Sequence, residues 1–373
     1  MRVLLLSKAC LVGAYQTKLE EIARFEDIDL TVLVPPVWED PAGDVPLERA
    51  HTSGYRLLVE PIRFNGRYHL HYYPRLGERM QAIQPDVVHI DEEPYNVATW
   101  HAVRQARAVG ARSLFFSWQN IRRSYPFPFN VLEKQVLNGV SFAIMGNQAA
   151  AKVWRDKGYE GPYRVIPQFG VDPTHFHPPR EAARRPAPVL CIGSAGRRLV
   201  WEKGNDLLLR AVAGLSGGWE LRIAGEGPER VALERLARQL GIADRVHFDG
   251  VISSTAMPAY LRRLDVLVLP SRTLPNWKEQ FGRILIEAMA CEVAVVGSDS
   301  GEIPHVIGEA GLTFPEESVD ALRAALLRLI ERGTLRQRLG QAGRRRVLAQ
   351  YTQDQIAAQS VDVYRAMLRQ PAL

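Results

Sequence analysis

The sequence predicts an α/β protein of two domains, each a parallel sheet wrapped by helices, on three observations. The chain has 373 residues, and a single hydrophobic core stops growing near ~250–300 residues. Short apolar runs alternate with helical stretches, the pattern of a parallel sheet with crossover helices. A Pro- and Arg-rich stretch ending at Pro188 reads as a connector between the halves. The expected layout is a first domain over 1–168, a linker over 169–188 and a second domain over 189–352.

In the first half the apolar runs Val3–Ser7, Leu30–Val34, Tyr55–Glu60, Val87–Ile90, Ser113–Ser117, Phe142–Met145 and Val165–Ile166 read as strands. Between them lie helical stretches at Lys18–Phe25, Arg75–Ile83, Ala98–Ala108, Asn130–Asn138 and Ala149–Lys157. The first strand runs into a loop containing Gly13, which either brings the backbone close to a phosphate or makes a plain turn. Val87–Ile90 ends in the acidic run Asp91-Glu92-Glu93, at a strand end where such folds bind ligands. Binding of a cation or of hydroxyl groups is one reading of that run, and a solvated loop is another. Between residues 62 and 79, Arg63, Arg67, Arg75 and Arg79 interleave with Phe64, Tyr68, Tyr72 and Tyr73. Such a stretch meets a headgroup interface or a lipid-linked anion, or is a solvated loop, the reading favoured here.

The second half opens with the strand Val189–Gly193 and continues to Arg198-Leu-Val-Trp-Glu-Lys203-Gly204, a basic loop entering a helix. Leu221–Pro228 is a strand with a Gly turn at Gly225, and His247–Val251 is another strand end. Asp265–Leu269 is a short apolar strand followed by a polar, Pro-containing loop, Pro270–Lys278. Gly282 then marks the entry to a helix, Arg283–Ala290, built of strong helix formers. A helix start of this kind offers unpaired N–H groups and a positive dipole end to a phosphate. Glu279 precedes the helix and Glu287 lies on it, a spacing that does not suit one helical face. Val293–Gly297 is a strand, and Ala321–Val347 and Gln353–Leu368 read as amphipathic, Arg-rich helical stretches.

Composition narrows the classes. The chain is 46% hydrophobic and 24% charged, as expected of a soluble globular protein. Cys10, Cys191 and Cys291 lie far apart with no CxxC, so neither a disulfide framework nor a structural zinc is expected, and a reducing cytoplasm fits. No run approaches the ~18 apolar residues of a membrane span, and Lys8 cuts the first apolar run short, which reads as a strand and not a signal peptide. The net charge is +6, but no nucleic-acid motif accompanies it, which favours a phosphate-rich substrate or an Arg-rich genome as its origin. Asp27-Ile28-Asp29 is the only DxD and opens a strand, which disfavours a metal-dependent transferase. No G-x-G-x-x-G follows a strand, and no G-x-S-x-G elbow or catalytic Cys/His signature is present.

The segment Glu279-Gln-Phe-Gly-Arg-Ile-Leu-Ile-Glu287-Ala-Met-Ala resembles the E-x7-E signature of retaining glycosyltransferases of family 4. Arg198-Leu-x-x-x-Lys203-Gly resembles the same family's diphosphate clamp. The resemblance implies the GT-B fold: two Rossmann-like doubly wound domains facing a central cleft, the first completed by a C-terminal helix over 353–373. It implies metal-free transfer of a sugar from a nucleotide-sugar to a glycan, lipid-linked or small-molecule acceptor, with retention through a front-face mechanism and no cofactor. Arg198 and Lys203 would stabilise the leaving diphosphate and Glu279 would orient the sugar, these three forming the catalytic set. Glu287 would hold the ribose, and Gly13, Phe281, Gly282, Arg283, Gly225 and Val251 would complete the donor site. Gln119, Asn120 and Glu93 would meet the sugar or acceptor.

The expected location is cytoplasmic, with peripheral association at the inner face of the membrane as an option and no nucleic acid as partner. The chain departs from the family pattern at Gln119 and Asn120, where His and Asp are usual, and at Arg197, where Gly is usual. Glu302 and His305 are variants within the Gly-Gly-x-x-Glu turn. A nucleotide-sugar epimerase, a phosphorylase or a non-catalytic nucleotide-binding protein on the same scaffold are the alternatives.

Overall fold

The structure, a computed structural model, describes residues 1–40, 43–179 and 189–369. Its contacts divide the chain into two compact units, Met1–Gly170 with Gln353 onward, and Val171–Thr352. Residues 171–179, expected in the linker, pack with the second unit. Residues 180–188 of that linker and 370–373 of the last helix lie outside the described residues.

In the first unit, β1 (Arg2–Leu6) leads through two 3-10 turns to α1 (Thr17–Ala23) and β2 (Asp29–Val34), and β3 (Val37–Trp38) and β4 (Val45–Pro46) form a small antiparallel pair. There follow β5 (Arg56–Val59), α2 (Leu76–Ile83), β6 (Val87–Ile90), α3 (Val97–Ala108), β7 (Arg112–Ser117), α4 (Phe129–Gly139), β8 (Phe142–Met145), α5 (Gln148–Asp156) and β9 (Tyr163–Val165). Seven strands join in the order β5-β2-β1-β6-β7-β8-β9, all parallel. The strands read as unbroken apolar runs because helices cover both faces of the sheet. Both acids of the DxD are engaged by arginines: Asp27 accepts bonds of 3.0 and 2.7 Å from Arg365, and Asp29 faces Arg56 at 3.2 Å.

In the second unit β10 (Leu190–Arg198), α6 (Asn205–Ala213), β11 (Trp219–Glu226), α7 (Arg230–Gln239), β12 (Val246–Gly250), α8 (Met257–Leu261) and β13 (Val266–Leu269) follow in turn. Then come α9 (Arg283–Ala290), β14 (Ala294–Ser298), α10 (Ile303–Ile307), β15 (Leu312–Phe314), α11 (Val319–Glu331) and α12 (Gly333–Gln350). The sheet order is β12-β11-β10-β13-β14-β15, again parallel. The stretch expected as helical over Ala321–Val347 breaks at Arg332, whose φ of −116° and ψ of 76° are not helical. The following Gly333, a poor helix residue, starts the next helix there. The last helix, α13 (Gln353–Arg369), packs on α1 in the first unit and buries Ile356, Val361, Tyr364 and Met367 in its core.

Each sheet is built outward from its first strand, then crosses to the other side to continue. Chain order therefore reverses between β1 and β6 in one unit and between β10 and β13 in the other. In such sheets the crevice at the carboxyl ends of these two strands is where ligands bind.

Candidate functional site

In the second unit, the loops leaving β10 and β13 meet at the reversal point. β10 runs longer than expected: Arg198 is its last residue, not a loop residue, after a register shift between Ala195 and Arg198. Its side chain is exposed. Trp201–Lys203 forms a 3-10 turn closed by Gly204 at φ +66°, where an added Cβ would lie 1.9 Å from the Pro270 carbonyl oxygen. Only glycine allows the two loops to come this close.

Lys203 and Glu279, 76 residues apart in sequence, touch: Nζ lies 2.7 Å from Oε2. The same oxygen accepts a bond of 3.0 Å from the fully buried Ser271. Lys203 also stands 5.0 Å from the centre of the Trp277 ring. An ion pair with an aromatic neighbour and a hydroxyl donor holds both side chains in one geometry.

Behind this pair is a residue that the sequence reading missed. Arg272, 2% exposed, donates from two nitrogens to the Asp206 carboxylate at 2.7 Å each and to the Trp201 carbonyl at 2.7 Å. It also pairs with Glu317 at 2.7 Å and covers the Trp201 ring at 4.4 Å. Its guanidinium thus ties the β13 loop to the turn that presents Lys203. An Arg in a polar loop gives no sequence signal of burial, because its partners come from elements 45 and 66 residues away.

Glu279 is also fixed through its backbone. Gly301, at φ +56°, sits so that a Cβ would lie 2.0 Å from the Glu279 carbonyl oxygen, and the Glu302 N–H donates to that oxygen at 3.2 Å. Gly282, at φ +75°, caps the start of α9, and a Cβ there would lie 2.9 Å from Leu269. Phe281 meets the Tyr351 ring edge-on at 5.8 Å. Glu287, on α9 and buried, pairs with Arg283 one turn earlier at 2.8 Å. Burial raises the Glu287 carboxyl pKa and Arg283 opposes that rise. Gly225 and Gly227, at φ +136° and +156°, admit the backbone of Gly196 and Leu199, a packing task in this structure. Val251 follows β12 and is 58% exposed.

The first unit holds a cavity of about 330 Å³ at its own reversal point. Lys8, Trp38, Asp40, Tyr68, Glu93 and Trp118 line it, together with Asp91, Glu92 and Gln168. Glu92 binds Lys8, with His71 at 3.4 Å and Asn96 at 3.2 Å. Burial alone would raise its carboxyl, yet Lys8 and His71 draw it down to about 2. Burial pushes Glu93 up to about 7, against the bonds it accepts from the Ser117 hydroxyl at 2.5 Å and the Trp118 N–H at 2.8 Å. Burial likewise raises Asp91, which accepts from Ser7 at 2.5 Å and Gln168 at 2.9 Å.

Gly13 lies in a 3-10 turn, and its N–H already donates to the Glu48 carboxylate at 2.6 Å, so it offers no free donor to a phosphate. Gln119 spends its amide within its own loop, donating to the Ile121 carbonyl at 3.1 Å and accepting from Tyr125 at 3.3 Å. Neither Gln119 nor Asn120 lines the cavity; both are buried beside it in sequence. In the 62–79 stretch, Arg75 pairs with Glu78 and Arg79 with Glu60, while Phe64, Tyr68 and Leu70 are exposed. Among the described residues, no helix is long and apolar enough to cross a membrane.

Residues 190–346 match the family described as Glycosyl transferases group 1. The GDP-mannose-dependent alpha-(1-6)-phosphatidylinositol monomannoside mannosyltransferase of Mycobacterium tuberculosis (strain CDC 1551 / Oshkosh) is 32% identical over 213 residues, 52% of this chain and 54% of that protein. The MMP alpha-(1->4)-mannosyltransferase of Mycolicibacterium hassiacum is 32% identical over 251 residues, 65% of this chain and 58% of that protein. The chain thus spans about half the length of the curated relatives it matches. A sucrose-phosphate synthase from Thermosynechococcus elongatus has the same fold over 99% of both chains, with a TM-score of 0.72 and 21% identity.

Proposed function

With residues 190–346 belonging to the group 1 glycosyl transferases and the chain carrying the GT-B fold, we propose that this protein transfers a sugar from a nucleotide-sugar to a hydroxyl acceptor. Mannose from GDP-mannose is the donor favoured, on the names of the relatives that are 32% identical. The observation that carries the reading is the contact of Lys203 with Glu279 at the mouth of α9. A cation held there sits where a diphosphate would meet the positive end of the helix.

The reaction forms a bond from the acceptor oxygen to the anomeric carbon and breaks the bond from that carbon to the phosphate oxygen. Negative charge grows on the leaving diphosphate, and Lys203, Arg198 and the α9 amides stabilise it. The acceptor proton passes to the leaving phosphate oxygen on the same face, which retains the anomeric configuration without a metal. Glu279, fixed by Ser271 and Gly301, accepts bonds from sugar hydroxyls, and Glu287 takes the ribose hydroxyls. The Lys203–Glu279 pair couples the two tasks: one carboxylate aligns the sugar and orients the cation that receives the departing charge.

A thermal-shift series with GDP-mannose, UDP-glucose and the corresponding free nucleotides tests the donor site. NMR of the product anomer tests retention. The reading fails if no nucleotide-sugar raises the melting temperature and none is consumed, with or without EDTA.

A further inference from the structure

In the second unit, side chains that the transfer scheme does not use stitch together the carboxyl ends of three neighbouring strands. The chain leaves β15, the edge strand, through Pro315-Glu316-Glu317 and reaches back across β14 to the β13 loop. Glu316 takes both donors of Thr273: its carboxylate accepts the Thr273 N–H and, at 2.6 Å, the Thr273 hydroxyl. Its own N–H donates to Asp299, just past β14, at 2.7 Å. Glu317 accepts from Arg272 Nε at 2.7 Å. Two consecutive glutamates thus grip two consecutive residues of the loop that runs on to Glu279. From that grip two lines of contact lead to the Lys203–Glu279 pair. Arg272 carries one to the turn that presents Lys203, through Asp206 and the Trp201 carbonyl. Thr273 carries the other. With its proton given to Glu316, its oxygen accepts from the buried Ser300 hydroxyl at 3.0 Å, and the next residue, Gly301, packs on the Glu279 carbonyl.

Glu317 keeps its place against its own backbone preference. Its φ is +63°, in the left-handed region that a residue with a Cβ disfavours. Gln84 and Glu292, also left-handed, follow the last turns of α2 and α9, where such a cap satisfies helix carbonyls. Glu317 ends no helix; it precedes Ser318, the N-cap of α11. Burial does not account for a glutamate here, since its side chain is 56% exposed. Glycine would take this conformation without strain, so what the side chain adds is its bond to Arg272.

We propose that Glu316 and Glu317 are positioning residues for the transfer: by clasping Thr273 and Arg272 they set the spacing of Lys203 and Glu279. The inference rests on the glycosyl-transfer reading for its effect on rate; the clasp itself is independent of it.

The test is the full chain carrying Glu316→Ala with Glu317→Gly, read by steady-state kinetics and by fluorine NMR of fluorotryptophan-labelled protein. Trp201 covers Arg272 and Trp277 stands beside Lys203, so both report on the loop; Trp201→Phe and Trp277→Phe assign their signals. These two resonances shift, and the other five of the seven tryptophans stay in place, which shows an intact fold. The kcat falls about 10- to 100-fold, the scale on which a misplacement of ~1 Å acts. The thermal shift from GDP-mannose persists, since Arg198 and Glu287 are untouched. Glu316→Gln with Glu317→Gln keeps an acceptor oxygen at each place and recovers most of the lost rate. Glu317→Gly alone melts no lower than wild type, because it gives up an exposed ion pair but relaxes the left-handed residue. A lower melting temperature there makes Glu317 a stabilising residue and overturns its place in the clasp. Turnover of the double variant within about threefold of wild type overturns the proposal, as does a fall in turnover with Trp201 and Trp277 unmoved. A wild type that neither responds to a nucleotide-sugar nor consumes one ends the transferase reading alone, and the two tryptophan shifts still decide the clasp.

Discussion

Replacing Lys203 by alanine isolates the charge at the centre of the proposed reaction. With the cation about 4 Å from the leaving phosphate, and an effective dielectric near ~20, the interaction is worth about 4 kcal/mol. Loss of a single charge-stabilising group in other enzymes costs roughly 2.7–4 kcal/mol, or about 10²–10³ in kcat. The same substitution removes a 2.7 Å ion pair whose side chains are 29% and 11% exposed. That position, between an exposed and a buried pair, implies a stability loss of about 1–2 kcal/mol, a fall of roughly 2–8 °C in the melting temperature of a unit this size. Lys203→Ala is therefore folded at assay temperature yet slower by two to three orders of magnitude, with kcat and kcat/KM falling together because the charge is needed most in the transition state. Steady-state kinetics alongside a melting curve separate the two effects. A variant that melts normally and turns over within threefold of wild type refutes the assignment.

Other outcomes follow from the same geometry. Arg272→Ala strips the Asp206 and Glu317 carboxylates and the Trp201 carbonyl of their partner, costs about 1–3 kcal/mol by urea denaturation, and lowers turnover by loosening the turn that presents Lys203. Gly301→Ala forces a side chain into a left-handed backbone, about 1–2 kcal/mol, and its Cβ displaces the Glu279 carbonyl, so KM for the donor rises and the melting temperature falls. Tyr364→Phe leaves His89, which accepts or donates at Nδ1 over 2.7 Å and has no partner at Nε2, unsatisfied in the core, at about 1–3 kcal/mol in denaturant midpoint. Glu93, with its pKa pushed up from 4.5 to about 7, binds more protons folded than unfolded. Its contribution to stability is therefore full below pH ~4.5 and lost as pH rises to ~7. Melting temperatures of wild type and Glu93→Gln across that range should diverge accordingly, and parallel profiles would show that the carboxyl titrates normally.

Local pattern was enough for the regular elements. Val87–Ile90, Phe142–Met145 and Arg283–Ala290 lie where periodicity puts them, since a strand buried on both faces must be apolar throughout and a helix start needs its glycine. The pairing of Glu279 with Lys203 was legible only as two motifs, because nothing local brings residues 76 positions apart together. Gln119 shows the complementary case: its place just after β7 follows from pattern, but its hydrogen bonds to Ile121 and Tyr125, which hold the amide in the loop, carry no local signal. Gly13 shows the same effect, its N–H claimed by a glutamate 35 residues on.

By itself, then, the order of residues determined two parallel-sheet units, the glycines at close backbone approaches and the acidic and basic residues that ring each reversal point, all consequences of burial, period and φ. Tertiary structure alone decided which charges are already neutralised. Lys8 against Glu92 and Arg272 against Asp206 are contacts made by chain crossovers, and electrostatic meaning depends on distance in space rather than along the chain.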